Sequence, residues 1–117
     1  MLKKNKKFSV ACIQMNSQAN LHENILFAKN KIIFASKKGA KLILLPENCF
    51  LMAKNNKQFL EFLTTEALHP GVNEMKKIAK NLSVWIIIGS VNIQEKKKIF
   101  NRSILIDNTG KIKARDR

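Results

Sequence analysis

The chain has 117 residues, 45% of them hydrophobic; this is enough for one domain with a buried core and too apolar for a disordered segment. A formal net charge of +14 invites nucleic acid as a partner, yet only three of the 22 basic residues are arginine and the lysines are spread over the whole length. No zinc-finger spacing or RNP-like aromatic pattern accompanies them, so the expectation is a solvated basic surface with salt-sensitive attraction to anions and no specific nucleic-acid partner.

The basic start, residues 1–7, has the look of a signal-peptide n-region. The apolar stretch after it is short, runs into Gln14, Asn16, Ser17 and Gln18, and no small-residue cleavage site follows, which argues against secretion. No apolar run approaches the roughly 20 residues that span a bilayer, so no membrane partner is expected and the location expected is cytoplasmic.

Residues 7–15 read as a strand. Asn20 then offers a helix N-cap, with Glu23 at capping-box spacing. Leu21, Ile25, Ala28, Ile32 and Ala35 recur at steps of four and three on one helical face. Lys37 and Lys38 suit the negative end of the helix dipole, and Gly39 the position just past it. Residues 41–45 form an apolar run closed by Pro46, which predicts a strand buried on both faces. Strand, helix, strand makes a βαβ unit, with Glu47 at the carboxyl end of its second strand, where open α/β sheets place their ligands. Residues 55–67 read as a helix turning Phe59, Phe62, Leu63 and Ala67 inward. His69-Pro70-Gly71 interrupts, and Val72, Met75, Ala79 and Leu82 mark another helix. A second fully buried strand is predicted around Val84-Trp85-Ile86-Ile87-Ile88, ending at Gly89. A lysine-rich tip, a strand over residues 99–106, a hairpin turn at Asp107-Asn108-Thr109-Gly110 and the start of another strand complete one domain over residues 1–117.

Glu47 is the residue with chemical promise. A carboxylate directly after a buried aliphatic strand is expected to be partly desolvated, which raises its pKa toward the range useful to a general base. Capping of a following helix, or pairing with one of the many lysines, is the plainer alternative. Cys12 reads as a small core residue of the first strand, Cys49 as a residue packed beneath the site, and Phe50 as core or pocket lining. The two cysteines lie too far apart for a CxxC pair, and neither has a histidine at ligand spacing, so no metal is expected. His22 and His69 read as surface or loop residues.

Four segments together resemble the nitrilase superfamily of carbon–nitrogen hydrolases. These are Phe8-Ser9-Val10-Ala11-Cys12-Ile13-Gln14-Met15-Asn16, Gly39-Ala40-Lys41-Leu42-Ile43-Leu44-Leu45-Pro46-Glu47, Trp85-Ile86-Ile87-Ile88-Gly89-Ser90-Val91, and Asn101-Arg102-Ser103-Ile104-Leu105-Ile106-Asp107 followed by Gly110. Their order and spacing match that family's opening strands over essentially the whole chain. The resemblance implies an α/β fold, the N-terminal part of a four-layer α-β-β-α sandwich. It implies hydrolysis of small nonpeptide amides or nitriles by a glutamate–lysine–cysteine triad, no cofactor, and a homodimer of the complete enzyme. Of the triad it assigns only the glutamate, to Glu47. The lysine is expected immediately beyond Arg117, since Ala114-Arg115-Asp116-Arg117 matches the segment before it, with Asp116 where an aromatic is common. The nucleophilic cysteine is expected after a further strand, so the chain is read as truncated and inactive alone. The alternative is a small basic α/β module that binds nucleic acid or anionic surfaces non-specifically.

Overall fold

The computed structural model describes residues 8–116. Within them a five-stranded sheet runs in chain order: β1 (Ser9–Cys12), β2 (Ala40–Leu45), β3 (Trp85–Glu95), β4 (Lys98–Ile106) and β5 (Ile112–Asp116). The first three strands are parallel, and β4 and β5 return as antiparallel hairpins. Three helices fill the connections: α1 (Leu21–Lys37), α2 (Asn56–Phe62) and α3 (Pro70–Leu82).

Local chemistry sets α1. The Asn20 side chain accepts from the Glu23 N–H at 3.0 Å, and Gly39 turns the chain out at φ +98°. Leu21, Ile25, Ala28, Ile32 and Ala35 are all buried, as their spacing predicts. They join Val72, Met75, Ile78 and Ala79 of α3 to cover one face of the sheet, where Ile43, Leu45, Ile86, Ile88, Ile104 and Ile106 are buried.

The opposite face is open, which corrects the expectation of strands buried on both sides. Leu42, Leu44, Trp85, Ile87 and Leu105 are only half-buried, and Phe8, Leu42, Trp85, Ile87 and Leu105 line an apolar groove there. A continuous aliphatic run reports that both faces are apolar, not that both are covered. One helical layer and one sheet are therefore seen of the four layers expected.

Other boundaries move for identifiable reasons. The first strand is confined to Ser9–Cys12, with Lys7 outside the described residues. β1 is an edge strand, and Cys12 is exposed on it, not buried in the core. The helix expected over 55–67 stops at Phe62, because Leu63 turns extended (ψ 129°) and the Thr64 carbonyl accepts from the Gln94 N–H at 2.9 Å. Phe62 and Ala67 are consequently exposed. β3 continues past Gly89 to Glu95, paired with β4 up to a tip where Lys96 and Lys97 both take positive φ. The turn at Asp107 forms as predicted. Its carboxylate accepts from the Thr109 hydroxyl (2.7 Å) and from the N–H groups of Thr109 (2.8 Å) and Lys111 (3.0 Å), which hold its pKa down to about 2.

His69 closes the loop before α3, as expected, but it is not a surface residue. It is buried, and its Nδ1 caps α3 by accepting from the N–H groups of Gly71 (3.0 Å) and Val72 (3.4 Å), with Pro70 in the first turn. A histidine is an unusual cap, and no local pattern marks one. Among the described residues no helix is long and apolar enough to cross a membrane.

Candidate active site

The parallel pairing of β2 with β3 ends at Leu45 and Ile88, and the segment after β2 passes close over β3 at Gly89. A Cβ on Gly89 would lie 2.5 Å from the Leu45 carbonyl oxygen and 2.5 Å from the Pro46 carbonyl carbon, so only glycine admits this approach. Glu47 follows in a turn at the carboxyl end of β2, as the sequence places it.

The turn is anchored on both sides of the sheet. Asn48 takes a left-handed conformation (φ 48°), and its N–H donates to Ser90 Oγ at 2.9 Å. The Cys49 carbonyl accepts from Ser17 Oγ at 2.8 Å. Asn24 Nδ2 donates to the Phe50 carbonyl at 2.8 Å and to the Gln18 carbonyl at 2.7 Å, while its Oδ1 accepts from the Gln18 N–H at 3.0 Å. Asn24 is thus a buried polar residue with its hydrogen bonds made, knitting α1, the loop after β1 and the segment after Glu47 into one unit. The side chains of Cys49 and Phe50 point into the core, with the Phe50 ring tilted against His69 at 5.8 Å between centroids.

Within this frame the Glu47 carboxylate is exposed and makes no hydrogen bond or ion pair among the described residues. This differs from both expectations for it. Its side chain is exposed where partial burial was expected, and among the described residues it neither caps a helix nor pairs with a lysine. On a turn held by several hydrogen bonds, and with no partner among the described residues, the exposed Glu47 carboxylate is presented outward.

The strand register brings one more element to this end of the sheet. Leu45, Ile88, Ile104 and Arg115 pair in one row across β2, β3, β4 and β5. From that row β2 and β5 run in the same sense, so the chain leaves β5 at the end of the sheet that carries Glu47. Pairing of Asp116 with Ser103, and of Ala114 with Leu105, puts these residues on the open face.

Cys49 does not serve as a nucleophile in this arrangement. Its side chain is fully buried, and burial pushes the thiol up to about 12, far from the thiolate that reacts. In the folded chain one thiol, Cys12, is expected to react promptly with an aromatic disulfide reagent. Cys49 should follow only on denaturation; rapid labelling of both without denaturant would show that the segment after Glu47 is not packed as described. Among the described residues no group of three or more His, Cys, Asp and Glu could hold a metal ion.

Sequence reasoning missed the residues that support the turn: Asn24, Ser17, Ser90 and Gly89. Only Asn24 left a signal, as a polar residue beside Ile25 and Ala28 on the apolar stripe of α1.

Comparison with known proteins places the chain in a family. The family model for carbon–nitrogen hydrolase matches residues 9–117. Nitrilase homolog 2 of Dictyostelium discoideum is 32% identical over all of this chain, which covers 36% of that protein. The omega-amidase NIT2 of Bos taurus is 30% identical over 94% of this chain, which covers 39% of it. The crystal structure of the C. elegans NitFhit protein superposes with a TM-score of 0.80 at 21% identity, covering 92% of this chain and 26% of that one. The chain therefore spans little more than a third of the length of these curated relatives. From the matched family model, the four segments in register and the shared fold, the chain belongs to the carbon–nitrogen hydrolase family.

Proposed function

We propose that this chain is the N-terminal part of an amidase-type hydrolase that cleaves small nonpeptide amides or nitriles, with Glu47 as the proton-shuttling member of a glutamate–lysine–cysteine triad. The observation that carries this reading is the exposed Glu47 carboxylate, without a partner among the described residues, on its anchored turn at the end of the sheet toward which β5 also runs. The other two members are assigned to sequence beyond Arg117. The similarity to an omega-amidase supports a small amide as substrate.

The chemistry follows from the roles. The cysteine sulfur attacks the amide carbon as Glu47 takes the thiol proton. The lysine ammonium stabilises the negative charge that develops on the carbonyl oxygen. When the tetrahedral adduct collapses, the carbon–nitrogen bond breaks and Glu47 returns the proton to the departing amine, leaving a thioester. Glu47 then takes a proton from water as that water attacks the thioester, releasing the acid and restoring the thiol. A nitrile enters the same sequence through a thioimidate. An exposed carboxylate with no partner among the described residues is available for both proton abstractions, from the thiol and from water. The same proposal places the enzyme in the cytoplasm as a homodimer and leaves these 117 residues inactive alone.

Glu47→Gln keeps the shape of the side chain and removes its basicity. In the hydrolase that carries this chain, it is expected to lower kcat by about a thousandfold, with the far-UV circular dichroism unchanged. Retention of near wild-type turnover in a folded Glu47→Gln protein would end the assignment.

A further inference from the structure

Strand β5 has little to hold its side chains. Of Ile112–Asp116 only Ile112 is half-buried, and the remaining four residues are exposed. It is the last strand of the described sheet, and its register with β4 shifts between Leu105 and Ile106. Without an apolar alternation to pin it, such a strand slips and frays readily.

Lys113 of β5 lies 3.8 Å from Asp107, and a second carboxylate supplies the tighter, directional hold. Glu66, in the loop between α2 and α3, accepts a side-on fork from Arg115 of β5: Nε at 2.9 Å and 3.1 Å from its two oxygens, and Nη2 at 2.8 Å. The same Glu66 accepts from Arg102 Nη1 of β4 at 3.1 Å. Arg102 is buried, and its Nη2 donates to Glu95 of β3 at 2.8 Å. The backbone of the loop is itself tied to β3 through Thr64 and Gln94. Two glutamates and two arginines from three strands and one loop thus form a charge-balanced chain, Glu95–Arg102–Glu66–Arg115. The Arg115 fork, then the Arg102 bond, hold the Glu66 carboxyl below its usual range. A two-pronged guanidinium–carboxylate contact fixes direction as well as distance, which a lysine would not.

We propose that Glu66 is a positioning residue of the hydrolase, latching β5 to the loop between α2 and α3 so that the chain leaving β5 is held at the sheet end that carries Glu47. The inference rests on the proposed hydrolase reading, in which that departing chain delivers the triad lysine.

Amide hydrogen exchange on this chain tests the latch without any need for activity. In Glu66→Gln, and separately in Arg115→Met, the β5 amides are expected to exchange about tenfold faster while those of Ile86 and Ile88 keep their rates. Arg115→Lys, which retains charge but loses the fork, should fall between. Unchanged β5 rates, or acceleration spread evenly over β3 and β5, would overturn the latch. Kinetics of the hydrolase that carries the chain test the positioning role. Glu66→Gln should lower kcat about tenfold with KM little changed, whereas faster β5 exchange with unaltered kcat would reduce the network to a structural tie and overturn the positioning role. If the wild-type hydrolase cleaves no carbon–nitrogen bond, the functional reading fails, and the exchange data still decide the latch.

Discussion

Gly89→Ala is expected to destabilise the chain by about 3 kcal/mol, the upper end of the range for overpacking a core, and to displace Glu47. The added methyl would meet the Leu45 carbonyl oxygen at 2.5 Å, the Pro46 carbonyl carbon at 2.5 Å and the Pro46 oxygen at 2.7 Å. All three are backbone atoms, so no rotamer change relieves the contact. Retreat of β3 is hindered from the other side, where Ser103 Oγ donates to the Gly89 carbonyl at 2.6 Å. The strain is therefore directed into residues 45–47, which is why a substitution outside the candidate triad should cost turnover as well as stability. At Gly71 the three atoms nearest the corresponding methyl belong to the Phe50 ring, a side chain and not backbone, so Gly71→Ala serves as the comparison. Urea denaturation of both variants, with kcat measured in the hydrolase proposed above, provides the check. A Gly89→Ala protein within about 0.5 kcal/mol of wild type would mean that the close approach of the Leu45–Pro46 backbone to Gly89 is wrong.

Stability should also fall between neutral pH and pH 4 because of His69. Its Nδ1 accepts two backbone N–H groups and therefore carries no proton, so the single ring proton sits on Nε2. Burial lowers its pKa from 6.5 to about 4, and protonation at Nδ1 would put a donor where the helix needs an acceptor. The folded form thus binds fewer protons than the unfolded chain between those two values, so stability rises with pH across that window. The contribution of His69 is fully present above about pH 6.5 and is lost as pH falls toward 4, with a total of about 3 kcal/mol. Glu66, Glu95 and Asp107 have pKa values lowered by their partners, so their losses come at lower pH. His69→Asn supplies a cap that does not titrate. Its urea midpoint should be nearly flat between about pH 7 and pH 5, where the wild type declines. A wild-type midpoint that is equally flat would remove His69 from the cap.

The elements whose signals are local were legible from residues alone. Helix α1 announced its cap, its stripe and its terminating glycine within a single stretch, and each has the predicted role. The Asp107 turn is closed by hydrogen bonds spanning at most four residues. Glu47 was placed at the carboxyl end of β2 because an aliphatic run and a proline mark that boundary. What misled was inference from composition to environment. Cys12 looked like core and lies exposed on an edge strand, His69 looked like a surface or loop residue and is a buried cap, and Glu47 looked desolvated and is exposed.

By itself the sequence determined the order of the elements, the α/β class, the family, and the residue on which the proposed chemistry turns. These depend on contacts between near neighbours and on runs of side chains sharing one face. Only the tertiary structure decided which face of the sheet is covered, how closely the segment after β2 approaches β3 at Gly89, and that Asn24 and Glu66 hold the segments on either side of the site. Asn24 reaches Phe50 across 26 positions, and Glu66 reaches Arg115 across 49. Periodicity tells which side chains point together but not what lies opposite them, and a hydrogen bond between distant residues leaves no mark on the spacing of either.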